Sequence, residues 1–192
     1  MTLQTARETL LSIFPGNPGM QKGDILYELA QVARDGCIVE VGAFTGFGTV
    51  ALGLGTADGK RLPVFAVDPF DERRGWTNEP YTSENLTTWT RAVDTAGIAD
   101  VTLIRRTAAE AVELWTEPVG LLFWDPGAKI DTVLAEFLAW ADQVMVGGLL
   151  AVNDTLVGNL GTDSAISELI ETRCFEFEGI RYGIRLVRRV RK

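Results

Sequence analysis

The sequence predicts an α/β chain: one doubly wound sheet of about seven strands, mostly parallel, with helices on both faces and an antiparallel hairpin strand at the C-terminal end. Three observations predict it. From Cys37 onward, short apolar runs alternate with turns and helical stretches, the beat of parallel strands joined by crossover helices. The runs are apolar at consecutive positions, as in a sheet covered on both sides. A length of 192 residues with 46% apolar content suits a single core, so no second structural domain is expected.

Taken in order, Thr5 to Phe14 has the pattern of a short amphipathic helix, stopped by Pro15-Gly16-Asn17-Pro18-Gly19. A second helical pattern runs from Asp24 to Arg34 through Ile25, Leu26, Leu29 and Val32. Residues 1–36 are therefore read as an N-terminal helical cap segment and 37–192 as the main domain. Strands are expected at Cys37 to Val41, Val64 to Val67, Val101 to Ile104, Gly120 to Trp124 and Leu149 to Asn153. Helices are expected at Gly48 to Leu54, Ser83 to Ala96, Ala108 to Leu114, Ile130 to Ala141 and Asp163 to Thr172. Phe175 to Glu178 and Tyr182 to Arg188, separated by Gly179-Ile180-Arg181, read as the closing hairpin.

Charge and composition remove several function classes. The net charge of −8 argues against nucleic acid, whose affinity for proteins comes from Lys and Arg neutralising phosphates. The chain has no histidine, which excludes that residue as base, nucleophile or metal ligand. Its two cysteines, Cys37 and Cys174, form no C-x-x-C pair and read as small buried hydrophobes of a reducing compartment. No stretch has membrane-spanning length and no signal-peptide pattern opens the chain, so a cytoplasmic protein without a membrane partner is expected.

The first strand leads through Glu40 into Gly42-Ala43-Phe44-Thr45-Gly46-Phe47-Gly48 and then into a helix. Glycines at a strand-to-helix turn let backbone amides approach a ligand closely. The spacing is a single G-x-x-x-G, not the G-x-G-x-x-G of dinucleotide sites, which disfavours a nicotinamide oxidoreductase. Glu40 just before the loop suits a cationic ligand better than a pyrophosphate. Asp68 ends the second strand just over 20 residues beyond Gly46, where an acid can accept hydrogen bonds from both hydroxyls of a ribose. Together these residues predict an adenosyl ligand that carries positive charge.

Residues 38 to 49 resemble the first motif of class I S-adenosylmethionine-dependent methyltransferases, which have a Rossmann-like fold, and Val67-Asp68-Pro69 resembles the second. The resemblance is closest to the methyltransferase-24 type of small-molecule O-methyltransferase and extends from about Gly19 to the last strand. Gly147-Gly148-Leu149 stands where such proteins usually carry Pro-Gly-Gly. The resemblance implies S-adenosylmethionine as cofactor, with Glu40, Gly42 and Gly46 lining its methionine side, Asp68 on its ribose, and Ala43, Thr45 and Asp125 as further cofactor contacts. It places Arg106-Thr107-Ala108 near the adenine, with Thr107 and Ala108 as the contacts.

Asp125 at the end of the fourth strand and Asn153-Asp154 at the end of the fifth would converge at the crevice of an open α/β sheet. Their oxygens suit a hard cation such as Mg²⁺, which would orient an acceptor hydroxyl and lower its pKa. The Asn-Asp order departs from the Asp-Asn or Glu-Asp pairs commoner in metal-dependent O-methyltransferases. Asp125 and Lys129 are the candidate catalytic groups; Lys129 reads equally as a solvated helix-start residue. The long segment from Pro69 to Ser83, with Arg73, Arg74, Trp76 and Tyr81, is a candidate lid. Trp115, Trp124 and Trp140 read as core.

The expected activity is methyl transfer to a hydroxyl of a small molecule. Two alternatives stand beside it: a metal-independent N- or C-methyltransferase, and an inactive module that only binds the cofactor. The N-terminal helices and the Phe175 to Val187 hairpin are the candidate surfaces for a homodimer.

Overall fold

The computed structural model describes residues 2–70, 83–125, 134–153 and 160–192. Helices α1 (Leu3–Ile13) and α2 (Met20–Val32) precede a regular succession: β1 (Cys37–Val41), α3 (Phe47–Asp58), β2 (Val64–Val67), α4 (Ser83–Ala96), β3 (Val101–Ile104) and α5 (Ala108–Glu113). It continues with β4 (Val119–Trp124), α6 (Leu134–Ala141), β5 (Val144–Asn153), α7 (Leu160–Glu171), β6 (Phe175–Arg181) and β7 (Ile184–Arg189). The seven strands form one sheet in the order β3-β2-β1-β4-β5-β7-β6. Only β7 runs against the others, since β1 to β5 pair in parallel and β7 pairs antiparallel with both β5 and β6. The expected fold class is the observed one.

The consecutive apolar positions of the strands serve two cores. Ile38, Leu121, Phe123, Leu149, Ala151, Ile184 and Leu186 face the side covered by α1, α2 and α3. Val39, Val41, Val67, Leu122, Trp124, Leu150, Val152 and Val187 face the side covered by α5, α6 and α7. A smaller cluster of Ala43, Ala66, Phe70 and Trp89 seats α4 beside α3. Trp124 and Trp140 are fully buried, and Trp115 lies between the Phe65 and Trp140 rings at centroid distances of 5.1 Å each, so all three tryptophans are structural as expected. Cys37 and Cys174 are unbridged, and burial, with a smaller contribution from Glu117, pushes the Cys37 thiol up to about 12. That thiol has no thiolate chemistry near neutral pH.

Helix α2 lies directly on α3 because α3 presents glycines to it. A Cβ on Gly55 would collide with the Tyr27 carbonyl oxygen and stand 2.9 Å from the Ala30 Cβ. Tyr27 is buried and donates its hydroxyl hydrogen bond to Asp58 across the same seam. Gly55→Ala is expected to destabilise the fold by about 2 kcal/mol or more, as overpacking against backbone does, despite the better helix propensity of alanine. A melting curve at or above that of the wild type would show that the seam can spread.

Helix α2 begins at Met20 rather than Asp24, α3 runs on to Asp58 rather than Leu54 and α7 begins at Leu160 rather than Asp163, and two further differences from the sequence reading fall at glycines in the strands. Strand β5 begins at Val144 rather than Leu149, because Gly147-Gly148 forms an irregularity within the strand rather than a turn before it. Gly147 has φ +87°, and the partners shift from Val119↔Val144 to Leu121↔Leu149. In the hairpin, β6 runs on through Gly179, Ile180 and Arg181, and the reversal falls at Tyr182-Gly183, with φ of +45° and +78°. Two positive φ values in a two-residue loop match the right-handed twist of the flanking strands. Gly179 instead absorbs an extra residue in a register shift after Phe177.

Phe177, Ile180 and Tyr182 of the hairpin are exposed, whereas most of the apolar face of α2 is packed onto the core. Among the described residues no helix is long and apolar enough to cross a membrane.

Candidate functional site at the carboxyl ends of the strands

The strand order reverses between β1 and β4, each of which leads away to a different side of the sheet. Crevices at such a reversal are where open α/β sheets bind ligands. Ladder bonds continue past the strands here: the Gly42 amide donates to the Val67 carbonyl at 2.9 Å, that of Asp125 to Val41 at 2.8 Å, and that of Asp68 to Ile104 at 3.1 Å. The ends of four adjacent strands are thereby held together. A cleft of about 160 Å³ opens at this point, lined by Lys22, Glu40, Gly42, Ala43, Thr45, Gly48 and Asp125, with Asn17, Phe44, Phe47 and Phe123 around them.

The first loop is built on two left-handed glycines. Gly42 and Gly46 both have φ +94°, a region where a Cβ is strained, and Gly46 is the N-cap of α3. The Asp68 carboxylate holds this loop from below. Its Oδ2 accepts hydrogen bonds from the amides of Ala43 and Phe44, each at 3.0 Å, and its Oδ1 accepts one from Phe70 at 2.9 Å. Asp68 is 3% exposed, so a ribose would share a carboxylate already used by three amides.

Glu40 points from β1 toward α3 and is 1% exposed. Its Oε2 accepts a hydrogen bond from the Thr49 hydroxyl, whose oxygen in turn accepts one from the Trp89 indole N–H at 2.9 Å. Burial pushes the Glu40 carboxyl up to about 8; the Thr49 bond works against that rise, while Asp125 and Asp68 add to it. Gly48 is what makes room for Glu40, since a Cβ there would collide with its Oε1.

Asp125, half-buried at the cleft, accepts a hydrogen bond on Oδ1 from the Asn153 side-chain amide at 2.8 Å. Desolvation raises its pKa, and Lys22 and the Asn153 bond counter that rise. The Asn153 Oδ1 is buried and has no hydrogen-bond partner among the described residues.

The sequence matches the family model described as a methyltransferase domain over residues 39–155, which is more than half of the chain. The chain belongs to this methyltransferase family. Comparison with curated protein sequences finds no match. Solved structures share the fold at low identity. The O-methyltransferase from Bacillus cereus in complex with S-adenosylhomocysteine (SAH) superposes with a TM-score of 0.70 at 15% identity, covering 97% of this chain and 91% of that one. TomG from Streptomyces achromogenes, an O-methyltransferase of tomaymycin synthesis in complex with S-adenosylmethionine (SAM), gives 0.68 at 16% identity over 98% and 89%. An rRNA methylase from Streptococcus thermophilus gives 0.60 at 20% identity over 93% and 99%.

Within the methyltransferase, the expected residues divide into three groups. Glu40, Gly42, Ala43, Thr45 and Asp125 line one cleft, and Gly46 and Asp68 support it. Thr107 and Ala108 stand apart, outside the lining of that cleft, at the start of α5. Thr107 forms a capping box with Glu110, its hydroxyl accepting from the Glu110 amide at 3.2 Å, and the Ala108 carbonyl accepts from the Trp140 indole at 3.0 Å. Lys129, Asp154 and the candidate lid residues Arg73, Arg74, Trp76 and Tyr81 lie outside the described residues.

Thr49, Trp89 and Lys22 escaped the sequence reading. Thr49 sits in the motif but faces inward, and Trp89 and Lys22 come from helices whose register the sequence did not tie to the site. Among the described residues no group of three His, Cys, Asp or Glu side chains stands at metal-binding distance. A larger cavity of about 290 Å³ lies at the opposite end of the sheet, between Leu29, Val32, Met145 and Leu149. It holds Arg34, Asp35 and Arg188, and Arg188 is already bound by Glu178 and the Gly147 carbonyl.

Proposed function

We propose that this methyltransferase takes its methyl group from SAM and delivers it to a hydroxyl oxygen of a small molecule. The observation that carries the reading is the cleft at the β1–β4 reversal, where a loop framed by two left-handed glycines stands beside Glu40 and Asp125. A sulfonium that also bears an ammonium group is cationic, and two carboxylates in a partly desolvated cleft supply the opposing field. The SAM and SAH held by the similar O-methyltransferases support the same reading. Glu40, Gly42, Ala43, Thr45, Gly46 and Asp125 would hold the methionine end, Asp68 the ribose, and Thr107 and Ala108 the adenine. The small cleft and the net charge of −8 favour a small acceptor over the RNA that the similar rRNA methylases act on.

Transfer forms an O–C bond, breaks an S–C bond and leaves a neutral thioether, so the acceptor must give up its proton. Asp125 would take it. Desolvation raises its proton affinity, as a general base requires, and Lys22 and the Asn153 hydrogen bond counter part of that rise. Lys129 is the second candidate for that role.

Asp125 and the orphaned Asn153 Oδ1 fit a hard cation, and Asp154 would be a third donor. Bound there, Mg²⁺ would supply polarisation of the acceptor hydroxyl. A second reading, methylation of nitrogen or carbon without metal, is favoured by the Asn153 amide N–H donating to the Asp125 oxygen that a cation would use.

Calorimetric titration with SAH tests the cofactor: micromolar binding supports the reading, and no binding refutes it. Transfer of labelled methyl from SAM to a panel of hydroxylated, amine and carbon acceptors then tests the chemistry. Chelation is expected to lower O-methylation at least tenfold, with full recovery on adding Mg²⁺; activity indifferent to the chelator selects the metal-independent alternative.

A further inference from the structure

The cation on the cleft wall enters the scheme above only through its field on Asp125. Lys22 comes from the first turns of α2, is half-buried, and is the one cationic side chain among the described residues that line the cleft. On the same lining stand Glu40 and Asp125. A pair of acids and one base around a small cleft is the complement of a zwitterion: the acids answer an ammonium and the base answers a carboxylate. Neither adenosine nor a simple hydroxylated acceptor presents a carboxylate. The amino-acid end of the proposed cofactor presents both charges on one carbon.

Lys22 is also held where it stands. Its neighbour Gly23 packs so tightly that a Cβ there would lie 2.8 Å from the Phe47 ring and 3.1 Å from Leu10. Phe47 begins α3 directly after the Gly46 N-cap, so α2 and the glycine loop meet at Lys22. The ammonium therefore has a fixed base beside the loop that would carry the methionine end.

We propose that Lys22 binds the α-carboxylate of the cofactor's methionine moiety and makes the site selective for adenosyl ligands that carry a complete amino acid. The inference rests on the SAM reading of the cleft. It separates Lys22 from a general counter-ion of Asp125. A counter-ion would help every ligand that bears the ammonium to the same degree, whereas a carboxylate partner helps only the ligand that has the carboxylate.

The test is a two-by-two titration of wild type and Lys22→Met with SAH and with its decarboxylated analogue, which keeps the adenosine, the thioether and the ammonium. Wild type is expected to bind SAH at least tenfold more tightly than the analogue, about 1.4 kcal/mol. Lys22→Met is expected to lose that tenfold for SAH and to bind the analogue as wild type does; Lys22→Arg should keep most of the preference. Equal weakening of both ligands in Lys22→Met, or no preference in the wild type, overturns the role assigned to Lys22 while leaving the cofactor reading in place. Failure of wild type to bind either ligand overturns both.

Discussion

Asp68→Ala is expected to lower the melting temperature by about 10 °C and to abolish cofactor binding well below the new midpoint. The carboxylate accepts hydrogen bonds from three backbone amides, those of Ala43, Phe44 and Phe70, and it is buried. Bonds to a charged acceptor are worth more than neutral ones, and amides left without a partner in a buried turn cost more still, so a total of about 4 kcal/mol is expected. Phe44 and Phe70 both hold positive φ, at +46° and +47°, and both donate their amides to this carboxylate, which helps to offset the cost of those conformations. The first loop would then relax, and the glycine turn would lose the shape that brings its amides to a ligand. Asp68→Asn keeps one acceptor oxygen and should fall between alanine and wild type in stability. A wild-type melting point for Asp68→Ala would show that the loop holds its shape without the tether.

Glu40→Gln is expected to be stabilising at alkaline pH and close to neutral near pH 5. In the unfolded chain the carboxyl ionises near its ordinary value of 4.5, whereas burial holds it protonated up to about 8 in the fold. Between those values the folded state binds the extra proton. The stability this gives is complete below 4.5 and is lost as pH rises through about 8. Glutamine imitates the protonated form and has nothing to lose, so the variant should exceed wild type by on the order of 3 kcal/mol at pH 8.5. The same change should weaken SAM at least tenfold, because a bound cation favours the ionised carboxylate and glutamine cannot give up a proton to form that charge. Thermal melts at pH 5 and pH 8.5 decide the first point: an equal offset at both would place the ionisation of Glu40 outside this window. Stability and ligand binding thus pull in opposite directions at one buried carboxylate, as they commonly do at functional sites.

The fold was legible because its signal is local and repeated. Apolar runs such as Ile38-Val39 and Leu121-Leu122 have no polar face, which only a doubly covered sheet permits, and the turns between them fall where crossovers must. The two places misread in the strands share one cause. Glycine marks positive φ but does not say whether it serves a turn or a bulge, so Gly147-Gly148 and Gly179 read as chain reversals although both lie within paired strands.

The site was legible where it is contiguous. Glu40, Gly42 and Gly46 belong to one strand and one loop, and Asp68 ends the neighbouring strand in register. Lys22, Thr49 and Trp89 were not, because their part depends on which face of α2, α3 and α4 turns inward. The hydroxyl of Thr49 is consumed between Trp89 and Glu40, a contact across 40 residues of sequence that no periodicity announces.

The glycine seam between α2 and α3 has a bearing on how this protein could change over time. Gly55 against the Tyr27 carbonyl and Gly59 against the Gln31 carbonyl bring the two helices together backbone to backbone, Gly23 admits the Phe47 ring, and neither helix can slide without opening the core. The segment ahead of the first strand is therefore mechanically part of the floor of the cleft rather than a detachable cover. Selection for a new acceptor would have little freedom there, because any enlargement of a side chain in the seam between α2 and α3 would be felt at the cleft as well as in the core.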